Sequence, residues 1–141
     1  MEEVICISIK AEKEAIAFYQ RLAGTSTHPR GKILISQILS MEKGHLAILT
    51  SRFGKHADKC DESKLNFSIS TEIPPEADEL TLLVTAMKSE LKARDFYERG
   101  LQMVKDKKSK KVFEQLIKDE HNHYEILKGI YVQLTHKEPP C

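Results

Sequence analysis

Two Glu-x-x-His segments, Glu42-Lys43-Gly44-His45 and Glu120-His121-Asn122-His123, lie 78 positions apart. The same offset carries Glu12-x-x-Ala15-x-x-Phe18-Tyr19 onto Glu90-x-x-Ala93-x-x-Phe96-Tyr97. Each half of the chain is thus a glutamate followed, 30 positions on, by a second glutamate with a histidine three further. A fold for this sequence has to accommodate four carboxylates and two imidazoles in two matching sets.

On a helix, positions i and i+3 lie about 60° apart, so Glu42 and His45 project from one face, as do Glu120 and His123. A single such pair is common on charged helices and usually meets solvent. Here each is set in an apolar stripe. Ile35, Ile38, Leu39, Leu46 and Leu49 surround Glu42, and Phe113, Leu116, Ile117, Tyr124 and Leu127 surround Glu120. Glu12 falls among Ile5, Ile9, Ile16 and Leu22, and Glu90 among Leu83, Ala86, Met87 and Leu101. An ionised carboxylate on a core-facing stripe is costly unless it is paired or holds a cation. No lysine or arginine falls in register with the four glutamates, so two divalent cations are the expected neutralising charge. Carboxylate oxygens with two imidazole nitrogens suit iron or manganese, and zinc is a possible occupant. The alternative is a set of mixed helix faces whose glutamates reach water.

At 141 residues the chain is long enough to bury one core, and a single domain over 1–141 is expected. A net charge of +1 supplies no attraction for nucleic acid or an anionic membrane. No apolar run reaches the ~18 residues of a membrane span, and no secretory signal pattern opens the chain, so a cytoplasmic location is expected. Cys6, Cys60 and Cys141 are scattered and odd in number, which points to structural or incidental thiols rather than a disulfide framework.

The periodicity predicts four helices over about 2–23, 29–53, 76–105 and 109–134. Gly24 is the expected stop of the first, Pro29 the first turn of the second, Pro74 and Pro75 the opening of the third, and Ser109 the N-cap of the fourth. Residues 54–75 read as a polar, irregular crossover with a β-leaning patch at Phe67-Ser68-Ile69. Its ~22 residues suffice to run the length of a helix of ~30 Å or more. That arrangement puts the two hairpin turns at opposite ends and the four glutamates at one level. The fold class is all-α: a ferritin-like antiparallel four-helix bundle with one long crossover between helices 2 and 3. Glu14, His121 and Glu125 fall off the inner stripe, while His28, His56 and His136 fall in turns or the tail and are expected to face solvent.

These motifs resemble the ferritin-like domain of the rubrerythrin family over nearly the whole chain. The resemblance rests on Glu12-x-x-Ala15-x-x-Phe18-Tyr19, Glu42-x-x-His45, Glu90-x-x-Ala93-x-x-Phe96-Tyr97 and Glu120-x-x-His123. It implies a carboxylate-bridged centre of two iron ions, with Glu42 and Glu120 bridging, Glu12 and Glu90 terminal, and His45 and His123 each on one iron. It also implies that each of Tyr19 and Tyr97 bonds the terminal glutamate of the opposite hairpin; another acceptor in the core is the competing expectation. The implied activity is oxidation of ferrous iron with reduction of hydrogen peroxide or dioxygen, in oxidative-stress protection. Two features depart from the family. These residues contain no four-cysteine rubredoxin motif, so an external electron donor is expected. Rubrerythrins also carry a glutamate three residues after the helix-3 ligand, one that exchanges with a histidine during the redox cycle, and here that position is Ala93.

The repeat breaks beside each Glu-x-x-His: the preceding residue is Met41 in one half and Asp119 in the other. A metal-bound imidazole normally donates its second N–H to an acceptor. Asp119 is therefore expected to bond His45, leaving methionine as the weak counterpart at His123; a solvated Asp119 is the alternative. Three functions follow from these readings: a di-iron peroxidase or oxidase, a ferroxidase that handles iron, and a structural bundle with a static metal site. A homodimer is expected because related bundles often pair.

Overall fold

The computed structural model describes residues 2–61 and 76–141. Helix α1 spans Glu2–Thr25, α2 Pro29–Arg52, the single turn α3 Gly54–Ala57, α4 Glu79–Met103 and α5 Lys107–Thr135. There is no strand among the described residues. α1 packs chiefly on α2 and α4 chiefly on α5, while α1–α4 and α2–α5 contacts close the ring. The four long helices therefore form a square with α1 diagonal to α5 and α2 diagonal to α4.

Contacts at the two ends fix the direction of each helix. Ser26 and Thr27, in the α1–α2 turn, donate hydrogen bonds to Glu79 at the start of α4. Arg52 at the end of α2 lines the same surface cavity as Asp106 in the α4–α5 turn, whose carboxyl is held below its usual range chiefly by the Ser109 N–H and least by Arg52. The chain leaving α2 at one end must therefore reach α4 at the other. This is the long crossover of a ferritin-like bundle.

Local capping explains most of the helix ends. Pro29 supplies the preset φ of a first turn, and His28 caps α2 by accepting the Gly31 N–H at Nδ1, 2.9 Å away. His28 is half-buried in this role rather than solvated as expected. α4 begins at Glu79, three residues later than expected, because Asp78 accepts the Thr81 N–H at 2.8 Å. Pro74 and Pro75 lie outside the described residues, as does the Phe67–Ile69 patch. The N-cap of α5 is Asp106, not Ser109: the aspartate accepts the Ser109 N–H at 2.9 Å, and Ser109 is a buried first-turn residue. α1 runs on past Gly24 to Thr25. α5 ends at the exposed His136, a left-handed cap with φ 57°.

Two apolar clusters fill the interior, one toward each end. Phe18, Leu22, Ile35, Ile38, Leu82, Leu83, Met87, Leu127 and Ile130 form the cluster near the α1–α2 turn. Val4, Ile5, Ile9, Leu49, Phe53, Tyr97, Val104, Phe113 and Leu116 form the cluster near the α4–α5 turn. On every long helix the glutamate of the repeat falls between residues of the two. The core is thus divided by a polar layer at mid-height.

Cys6 and Cys60 form a disulfide with a Cα separation of 5.3 Å, which corrects the expectation of free thiols. α3 folds back onto α1 and brings Cys60, three residues beyond its end, beside Cys6. Cys141 is the free cysteine. No helix among the described residues is long and apolar enough to cross a membrane.

Candidate metal centre

Each long helix contributes one glutamate to the polar layer, and α2 and α5 each add a histidine one turn on. Glu12, Glu42, His45, Glu90, Glu120 and His123 are all buried, none more than 4% exposed. Donor atoms of Glu12, Glu42, His45 and Glu120 lie within 4.8 Å of one another, and so do those of Glu42, Glu90, Glu120 and His123. Glu42 and Glu120 belong to both groups. The helices thus build two adjoining nests of three carboxylates and one imidazole, with two carboxylates shared.

The histidines take matching positions in the two nests. Their rings are nearly parallel, with centroids 5.9 Å apart and 22° between the planes. His45 Nδ1 lies 3.2 Å from Glu120 Oε1, 3.5 Å from Glu12 Oε1 and 3.6 Å from Glu42 Oε1. His123 Nδ1 lies 2.9 Å from Glu42 Oε1 and 3.6 Å from Glu90 Oε1. Both Nδ1 atoms face the carboxylates, and both Nε2 atoms face outward along the α2–α5 side.

Outside the nests, two tyrosines cross between hairpins. Tyr97 on α4 donates to Glu12 Oε1 at 2.6 Å, and Tyr19 on α1 donates to Glu90. His45 Nε2 meets Asp119 Oδ2 at 2.9 Å, and the other Asp119 oxygen accepts from Gln115 Nε2 at 2.8 Å. His123 Nε2 meets Met41 Sδ at 3.4 Å. Gln115 lies outside the repeat, and only its position one turn before Asp119 on α5 marks it in the sequence. The residues set outside the site stay outside: His121 and Glu125 are exposed, and Ala93 packs at the margin of the apolar cluster that contains Tyr97.

Whether these residues fit metal ions is decided by the atoms left over. Among the described residues, seven buried side-chain nitrogen or oxygen atoms have no hydrogen-bond partner. Six of them are Glu12 Oε2, Glu42 Oε1, His45 Nδ1, Glu90 Oε2, Glu120 Oε1 and His123 Nδ1, one from each residue of the layer. An unmet buried polar atom costs about 1–3 kcal/mol, and more when charged. Hard oxygen donors and two imidazoles aimed at common points meet the demands of divalent iron or manganese. The residues fit.

Without metal, protons take part of that role. Burial, reinforced by the charge of Glu42, pushes Glu12 up to about 8. Burial and the charges of Glu90 and Glu42 push Glu120 well above the carboxylate range. For His45 burial acts downward, but Glu12, Glu42 and Asp119 outweigh it and hold the imidazole at about 9. Burial likewise opposes the charge on His123, and Glu42 and Glu90 hold it at about 10. Burial and nearby carboxylates raise both tyrosines well above 10, so their protons stay in place to be donated.

Comparison with known proteins agrees with this geometry. No curated protein matches the chain. Among solved structures, a hypothetical protein from Pyrococcus furiosus is similar at TM-score 0.81 and 28% identity, over 96% of this chain and 91% of that one. A two-domain protein from Anabaena variabilis, containing DJ-1/ThiJ/PfpI-like and ferritin-like domains, matches 99% of this chain with 42% of its own length, at TM-score 0.79 and 13% identity. Residues 81–139, which hold Glu90, Glu120 and His123, match the Rubrerythrin family, and the bundle as a whole has the ferritin-like fold.

Proposed function

We propose that the chain is a di-iron oxidoreductase that oxidises ferrous iron while reducing hydrogen peroxide or dioxygen, with electrons replenished by an external donor. The observation that carries this reading is the set of six unpartnered buried atoms, one from each of Glu12, Glu42, His45, Glu90, Glu120 and His123. Glu42 and Glu120 belong to both nests and would be shared between the two ions, whereas Glu12 and Glu90 each belong to one and would each hold one ion. Two ferrous ions bound side by side would supply two electrons together, the number needed to reduce peroxide to water. Four glutamates balance the charge of two divalent ions.

The remaining chemistry belongs to the chain's own residues. Tyr97 and Tyr19 fix one oxygen each of Glu12 and Glu90, leaving the other oxygen buried and without a hydrogen-bond partner. Asp119 orients the His45 ring by accepting its outer N–H, which directs Nδ1 at the nest. The apolar clusters above and below exclude bulk water, so the charges of the layer interact in a medium that screens them little.

The test is anaerobic loading with ferrous iron followed by rapid mixing with peroxide or oxygen, with absorbance recorded. Two ferrous ions per chain and oxidation on mixing are expected, with sustained turnover only when a donor is added. Loaded protein that is inert to both oxidants leaves a static, structural metal site. Oxidation with release of ferric iron, and no donor-dependent turnover, assigns the chain to iron handling instead.

A further inference from the structure

The two nests match in their carboxylates but not behind their histidines. On α5, Asp119 is buried, and both of its oxygens are engaged, one by His45 Nε2 and one by Gln115. At the equivalent place on α2 stands Met41, 40% exposed, with its sulfur 3.4 Å from His123 Nε2. A carboxylate is a strong acceptor, whereas a thioether sulfur is a weak one. Resting on the metal reading above, we propose that the centre is built with unequal halves: a tight subsite at His45, held by Asp119, and a weaker, exchangeable one at His123. Asp119 is the positioning residue of the tight half, and Met41 sets the weakness of the other.

The physical basis is how each imidazole is prepared. To bind a cation through Nδ1, each ring must keep its remaining proton on Nε2. Asp119 fixes that tautomer and the ring angle for His45, and its charge makes Nδ1 a better donor. Met41 gives His123 little of either. Loss of such an outer partner typically costs ~10–100-fold in metal affinity. The difference between the halves is expected on that scale, with the His123 ion the first to leave.

Cobalt(II) titration of the full chain under anaerobic conditions, followed by absorbance and calorimetry, tests this. Two ions per chain in two steps are expected. Repulsion between the ions also separates the steps, so substitutions isolate the contribution of each outer partner. Asp119→Asn should weaken the tighter step by ~10-fold or more and leave the weaker nearly unchanged. Met41→Asp should strengthen the weaker step by a similar factor, an effect that a purely structural role for position 41 would not produce. Ser40→Asp, an exposed neighbour, adds the same charge without reaching His123 and should change little. The exchangeable, cobalt-shifted N–H proton resonance slowed by Asp119 should vanish in Asp119→Asn. Two steps that neither substitution moves, or a Ser40→Asp effect as large as that of Met41→Asp, would overturn the inequality while leaving the metal site standing. A chain that binds no cobalt and no ferrous iron would instead overturn the metal reading itself.

Discussion

The Tyr97 hydroxyl, on α4, donates to Glu12 Oε1, on α1, at 2.6 Å, and Tyr19 on α1 returns the same contact to Glu90 on α4. The two hairpins are therefore pinned to each other through the buried Glu12 and Glu90 carboxylates as well as through apolar packing. Tyr97→Phe keeps the ring against Phe113 and Phe96 but leaves a Glu12 oxygen buried without a partner. An orphaned buried acceptor costs about 1–3 kcal/mol. Urea unfolding of the metal-free protein should show a loss in that range, and ferrous titration should show weaker binding. An unchanged midpoint would mean that the hydroxyl contributes nothing.

Proton release should accompany metal binding. In the metal-free protein Glu12 at about 8, His45 at about 9 and His123 at about 10 hold protons at neutral pH. Each must be given up by an atom that coordinates. Affinity should therefore fall steadily as pH drops from 8 to 6. Calorimetry in buffers of different ionisation enthalpy should report protons released per ion bound. Affinity that does not vary with pH would place the ions elsewhere.

The candidate site was legible in the sequence because its signal is local and doubled. Glu-x-x-His falls on one face of a helix whatever the tertiary structure, and the 78-residue offset supplied the second half. The break in that repeat, Met41 against Asp119, was legible for the same reason. The Cys6–Cys60 bond was not, because its 54-residue separation carries no local pattern and depends on where α3 turns the chain. Helix starts are less legible where two signals compete. Pro74 and Pro75 suggested an early α4, but Asp78 three residues before Thr81 made the cap, and Asp106 displaced Ser109 in the same way. The His28 cap is hard to read from the sequence because histidine is a rare choice there; only its place before Pro29 points to it.

Gly100 and Gly44 should respond oppositely to alanine. A Cβ at Gly100 would lie 2.8 Å from Phe113 Cε1 and 3.1 Å from Val4 Cγ1, and the Phe113 ring is held by Tyr97 and Phe53. Gly100→Ala should cost about 1–3 kcal/mol through overpacking. Gly44 is mid-helix and exposed, with nothing within 4 Å of an added Cβ. Gly44→Ala should stabilise by roughly 0.5–1 kcal/mol through lower backbone entropy in the unfolded chain. Thermal unfolding of both variants checks the pair, and a shift in the same direction for both would contradict the packing.

Glu79 ties the α1–α2 turn to the start of α4 and should confer an acid-sensitive stability. Partial burial opposes its charge, but hydrogen bonds from Ser26 and from the hydroxyl and backbone N–H of Thr27 prevail and hold it below 4.5. A depressed carboxylate stabilises the fold above its unfolded pKa, and that contribution is lost as pH falls through the folded value. Glu79→Gln should be less stable than the parent at pH 7, and the two should converge on acidification below 4.5. Denaturant midpoints across that range test it, and a gap that persists into acid would assign the effect to shape rather than charge.

The disulfide sets the last expectation. Cys6 lies near the start of α1 and Cys60 just beyond α3, so the bond anchors the first part of the crossover to the hairpin that carries Glu12, Glu42 and His45. It closes a loop across a sequence separation of 54, which in the unfolded chain removes a large share of the available conformations. Loops of this order give about 2–4 kcal/mol of stabilisation. Thiol labelling of the unreduced protein under denaturing conditions should find Cys141 alone reactive. Reduction, or Cys60→Ser, should lower the unfolding midpoint by an amount in that range. Helical content should be retained, because the two apolar clusters hold the four long helices without the bond. Three reactive thiols before reduction would show that the bond is not formed in solution, and a midpoint unmoved by reduction would show that it does not restrain the fold.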